Sequence, residues 1–143
     1  MKKKVLISLC VAFVLSAVFF IFSRKNNIPE AQITEKGNAD IVRVSEPLSG
    51  TIIKSPLSVS GEARGNWFFE ASFPVKLLDE NGTEIAAVPA QAHGEWRTEN
   101  FVPFSVDLNF AVPTSPRGTL VLRKDNPSDL PEHDDALEIP IRF

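Results

Sequence analysis

Cysteine is nearly missing from this chain and histidine is scarce: 143 residues hold one of the first and two of the second. Cys10 lies inside an apolar stretch near the start, so everything after it lacks a thiol. No disulfide can brace a folded region there, and cysteine catalysis is excluded. Stability has to come from an apolar core, which a domain of about 100 residues can supply. His93 and His133 both sit in turn-like sequence. A zinc site wants three or four His or Cys ligands, and two histidines do not supply them. Ser128 stands near His133, but no nucleophile elbow surrounds it. A phosphate-cradling loop is missing as well, since "GEARGNW" lacks the lysine and the spacing of a P-loop.

Positive charge is also short once the start is passed. Lys2, Lys3, Lys4, Arg24 and Lys25 lead the chain, and no acid precedes Glu30. The remaining residues hold 10 of the 15 basic groups and all 18 acidic ones, a net charge of −8. Nucleic acid demands clustered Lys and Arg, and no cluster follows residue 25. The folded part is therefore expected to bind no nucleic acid, and its acidic excess reads as simple solubility.

What is present begins with "MKKK" and an uncharged run over residues 5–22. At about 1.5 Å per residue a helix of that length covers roughly 27 Å, enough for a bilayer core. The apolar part of a secretory signal is shorter, about 7–15 residues, and ends in small residues. Here Leu15 precedes Ala17 by two and Ile21 precedes Ser23 by two. The pattern predicts one N-terminal transmembrane helix that is not cleaved, with the rest of the chain outside the cytoplasmic membrane. Cleavage would make the protein secreted. Lipidation at Cys10 is disfavoured, because Leu9 rather than a small residue precedes it. Residues 1–23 thus read as anchor or signal, 24–40 as a polar flexible tether, and 41–143 as one folded domain.

That domain reads as β. "LSVSGEA", "FPVKLLD" and "ALEIPIRF" alternate apolar and polar residues, and no segment after residue 40 keeps a 3.6-residue period. Asn81-Gly82 marks a hairpin, because both residues accept positive φ. Pro89 marks an edge strand or a bulge. Seven to eight short antiparallel strands in about 100 residues predict a β-sandwich, with a small closed barrel as the structural rival. Trp96, Phe73 and Phe104 are the candidate large core residues.

Two stretches are candidates for function. "KDNPSDLPEHDD" carries Asp125, Asp129, Glu132, Asp134 and Asp135. Its spacing is not that of an EF-hand, so a solvated loop bonding its own backbone is the plain reading and calcium the sharper one. A glycan hydrolase using carboxylates of the 125–135 loop, Asp134 and Asp135 first, is the enzymatic alternative. "GNWFFE" sets Trp67, Phe68 and Phe69 beside Glu70. If the segment is extended, Trp67 and Phe69 face one way and Phe68 the other. The inward set fills the core, and the outward ring or rings beside Glu70 become a candidate contact for a sugar or a partner protein.

Taken in order, "GNWFFEASFPVKLLDENG", "HGEW", "FVPF", "GTLVLRKDNPSDLPEHDD" and the closing "LEIPIRF" resemble the immunoglobulin-like domain of bacterial spore germination, over residues 41–143. The resemblance implies an immunoglobulin-like sandwich in a bacterial envelope protein, without catalytic activity; no cofactor is expected from the residues either. It implies no ligand residues; Trp67, Phe68, Phe69, Glu70, Asp125 and Asn126 match its motifs only. Many members carry a second, germination-associated domain, for which 143 residues leave no room. The expectation is a non-enzymatic, membrane-anchored module that binds an envelope protein or a cell-wall glycan. A protease-inhibitor-like sandwich, offering its loops to a cleft, is a further alternative.

Overall fold

The structure, a computed structural model, describes residues 39–143. The apolar run over 5–22 and tether residues 24–38 lie outside the described residues. Among those described, no helix is long and apolar enough to cross a membrane.

Alternation decides where the strands fall. Phe73, Val75 and Leu77 are buried, and the residues between them are partly exposed. Leu137, Ile139 and Ile141 repeat the pattern, as do Leu57 and Val59. A period of two turns one face of each strand toward a common interior. The result is seven antiparallel strands: β1 (Val42–Glu46), β2 (Leu57–Arg64), β3 (Ser72–Asp79), β4 (Glu84–Ala92), β5 (Phe101–Leu108), β6 (Arg117–Arg123) and β7 (Ala136–Arg142). Two single turns of 3-10 helix, Gly65–Trp67 and Pro131–His133, are the only helix among the described residues.

The strands form one sheet in the order β1-β2-β5-β4-β3-β6-β7. It folds over where β4 meets β5, which pair at only two positions, Gln91 with Ser105 and Ala92 with Phe104. Phe73 of β3 meets Phe104 of β5 edge-on at 4.9 Å, so the two halves share one core. The open side is nearly closed by the chain after β1. Gly50 and Ile53 donate to Pro140 and Arg142 of β7, and Arg142 donates back to Thr51, at 2.7–2.9 Å. Sandwich and barrel thus converge in a nearly barrel-like sheet.

Local chemistry accounts for the joints. The β3–β4 hairpin turns through Glu80, Asn81 and Gly82, closed by Gly82 N–H on Asp79 C=O at 3.0 Å. Only Gly82 takes positive φ, at 80°, so this is a three-residue turn with glycine in the left-handed position rather than the two-residue turn expected from Asn-Gly. Asp79 fixes it by accepting the backbone N–H groups of Asn81 and Thr83 at 2.8 Å each, and these bonds, Thr83's first, lower its carboxyl below the usual range. Pro89 lies opposite Pro74 in the β3–β4 register. Neither ring can donate, so the pair falls where the ladder makes no bond. From Glu84 to Ala90, β4 has no partner on its other side, which makes it the edge strand Pro89 marks.

The core corrects one expectation. Phe73 and Phe104 are buried as expected, but Trp96 is half-buried on a loop. Trp67, fully buried, takes the central place and meets Phe73 edge-on at 6.4 Å.

Candidate functional site

Strict antiparallel order sorts the loops by parity. Odd strands run one way and even strands the other, so loops 65–71, 93–100 and 124–135 share one end of the sheet. The chain also enters at this end, because Val42 pairs with Ala63 near the close of β2. The other end holds loops 47–56, 80–83 and 109–116.

Charge divides along the same line. Loop 65–71 carries Glu70, loop 93–100 carries Glu95 and Glu99, and loop 124–135 carries Asp125, Asp129, Glu132, Asp134 and Asp135, against the bases Arg97 and Lys124 alone. The loops at the other end hold one acid, Glu80, and one base, Lys54. One end of the domain thus carries a net charge of −6 in its loops and the other none.

The three acidic loops interlock. Gly65 lies beneath the 93–100 loop: a Cβ there would stand 2.0 Å from the Thr98 carbonyl oxygen and 2.2 Å from that of Trp96. Asp125 N–H donates to the Trp67 carbonyl at 3.1 Å, and Ala92 N–H to that of Ala71 at 2.8 Å. The "GNWFFE" segment is therefore held from both sides.

This framing settles how the aromatic triplet is arranged. Residues 65–67 form a 3-10 turn, not a strand, so the period of two fails. Trp67 and Phe68 are both buried, at 0 and 4% exposure, and Phe68 packs edge-on against Phe73 at 5.2 Å. Glu70 and Ala71 then take positive φ, 48° and 62°. That double left-handed step reverses the chain and leaves Phe69 outside, 42% exposed, beside an exposed Glu70. Two of the four candidate contact residues, Trp67 and Phe68, are core; Phe69 and Glu70 face solvent. Leu130, on the neighbouring 124–135 loop, is exposed as well.

The 124–135 loop is organised by Asn126. Its amide donates to Leu130 C=O at 2.9 Å and to Asp134 Oδ1 at 3.0 Å, and its oxygen accepts from Ser128. Arg123 pairs with the other Asp134 oxygen at 3.0 Å. The Asn126 bond and then Arg123 hold the Asp134 carboxyl below its usual range, the reverse of what a general acid requires. Asp135 accepts the N–H of Ala136 at 2.9 Å. Both carboxylates named for a hydrolase are thus engaged in holding the loop. Among the described residues, no group of three or more His, Cys, Asp or Glu side chains is placed to hold a metal ion.

Two arrangements had no signal in the sequence. His93 Nε2, on the loop that follows β4, meets Ser105 Oγ of β5 at 2.6 Å, with both side chains exposed. Arg43 and Arg64 stack on the Phe101 ring, at 4.2 and 4.5 Å, and donate to the carbonyls of Ala39 and Asp40. Side chains of β1 and β2 thereby clamp the last two tether residues to the domain.

Comparison with known proteins gives one match. The family model of the immunoglobulin-like domain of bacterial spore germination matches residues 41–130. The chain belongs to this family. No curated protein and no solved structure matches it. Within this immunoglobulin-like domain the matched range ends on the 124–135 loop, and β7 completes the sheet beyond it.

Proposed function

We propose that the chain is a non-enzymatic binding module, anchored in the bacterial cytoplasmic membrane by residues 5–22 and displayed outside it, that holds an envelope protein at its acidic loop end. Phe69 is the apolar anchor. The observation that carries this reading is the exposure of that ring on a turn braced by two other loops. A rigid aromatic presented to solvent loses little conformational freedom on binding, which is what interface anchors require. The net charge of −6 in the loops of this end, offset in part by Arg64 and Arg123 at the strand ends, favours a basic partner surface and speeds encounter with it. The anchor itself is supported by sequence alone. The chain enters the domain at the loop end.

Retention of envelope extract on the immobilised chain tests this. Basic envelope proteins should be retained and then lost by roughly tenfold or more on Phe69→Ala, with the circular dichroism spectrum unchanged. Retention of peptidoglycan alone, or protein retention indifferent to Phe69→Ala, would overturn the reading.

A further inference from the structure

A shallow groove of about 310 Å³ runs over the outer face of β3 and β4 and ends at the acidic loops. Its floor is apolar. Pro74 and Pro89 face each other across the two strands, and Ala87 lies one step further along the same face. Ser72 and Asp125 supply its polar groups. Asp125 is half-buried, and among the described residues its carboxylate has neither an ion-pair nor a hydrogen-bond partner; only its backbone N–H is used, on Trp67.

A carboxylate is acceptor-only, and one taken half out of water gains from a charged donor. Two cations nearby serve other acids: Arg123 pairs with Asp134 at 3.0 Å and Lys76 with Glu84 at 2.8 Å. Lys124, next to Asp125 in the chain, forms no ion pair with it among the described residues. A ligand that satisfies Asp125 does so best by bringing its own positive charge. The proline rings and the alanine methyl offer no polar atoms, so the part lying on them must be aliphatic. A lysine side chain has this form, a methylene stem with an ammonium at its tip. The net charge of −6 in the adjoining loops attracts the same kind of ligand over a longer range.

We propose that this groove receives a lysine side chain of a basic protein segment, its methylenes on Pro74, Pro89 and Ala87 and its ammonium on Asp125. The inference rests on the reading of the loop end as a protein-binding surface and supplies the chemistry of the partner. A free amine of the cell wall shares the ammonium but lacks the peptide, and retention on peptidoglycan separates the two.

The test is a titration of the full chain in detergent with the peptide acetyl-(Lys-Ala-Ala)3-amide, followed by amide shifts in 15N-labelled protein. Shifts should concentrate at Ser72, Ala87 and Asp125. Asp125→Asn, isosteric and still able to donate its backbone N–H to Trp67, should weaken binding about tenfold or more. Ala87→Arg, which sets a competing cation and bulk in the groove, should abolish the shifts, and so should ε-acetylation of the peptide. Equal binding by the acetylated peptide, equal binding by Asp125→Asn, or no binding at all would each overturn the proposal. Peptide binding dependent on Asp125 with no envelope protein retained would uphold the groove and sink the module reading. Retention dependent on Phe69 without peptide binding would do the opposite.

Discussion

Phe68 and Phe69 are neighbours of identical chemistry, and the fold assigns them opposite work. Phe68 is 4% exposed and packs edge-on against Phe73, which in turn meets Trp67 and Phe104. Truncation to alanine removes a ring from the centre of the core and leaves a cavity, a change that costs about 3–5 kcal/mol. A domain of this size holds only about 5–15 kcal/mol in total, and this one has no disulfide in reserve. At about 4–8 °C per kcal/mol, Phe68→Ala should lower Tm by on the order of 20 °C. Phe69 already shows 42% of its surface to water, so Phe69→Ala should cost about 1 kcal/mol. Urea denaturation read by tryptophan fluorescence separates the two. With m of about 1–3 kcal/mol per molar, Phe68→Ala moves the midpoint by roughly 2 M and Phe69→Ala by roughly 0.5 M. An extended segment of period two, with Trp67 and Phe69 inward, demands the reverse order. Equal or reversed shifts would therefore refute the 3-10 turn and the outward Phe69 together.

Gly65→Ala should be destabilising well beyond Gly82→Ala in the same urea assay. The first drives a Cβ into backbone oxygens at 2.0 and 2.2 Å, whereas the second meets nothing within 4 Å and bears only the left-handed strain of about 1–2 kcal/mol; similar midpoints would contradict the interlocked loops. Acid should weaken the fold through Asp79 and Asp134. Both carboxyls are lowered in the folded state from about 3.8, so the stability they contribute is complete above that pH and is lost as pH falls through their folded values. Urea midpoints measured from pH 3 to 7 should stay flat to about pH 5 and then fall, with a shallower fall in Asp79→Asn and Asp134→Asn. A decline beginning at pH 6–7 would point to other groups.

Much of the fold was legible because strands of period two write themselves into the chain. Phe73 to Leu77 and Leu137 to Ile141 alternate in sequence and alternate in burial. Pro89 on an edge strand followed from its missing N–H. The errors fall where backbone geometry departs from both regular periods. A 3-10 turn places Trp67 and Phe68 on one side, and no sequence signal announces that Glu70 and Ala71, neither of them glycine, will take positive φ. Trp96 looked like core because large aromatics usually are, yet its loop passes over Gly65 and leaves the ring half outside. The Asp125 groove needs residues from β3, from β4 and from the loop before β7, a contact that no local pattern encodes.

The polarity of the domain, by contrast, was within reach of the sequence. Once every strand is taken as antiparallel to its neighbours, alternate loops must share an end, and counting charge on alternate loops separates −6 from zero before any coordinate is known. Solubility alone does not account for the placement, since charge kept for solubility works anywhere on the surface. It also has a cost. Like charges crowded at one end repel one another, and the protein offsets this with structure: Asn126 and Arg123 hold Asp134, and the backbone of Ala136 holds Asp135. Asp125 is left out of these arrangements, next to an apolar floor, and Phe69 is left out of a core that takes its two neighbours. Phe69 and Asp125 therefore stand at the same charged end without an internal role for their side chains, and these are the two positions on which the proposed binding reading rests.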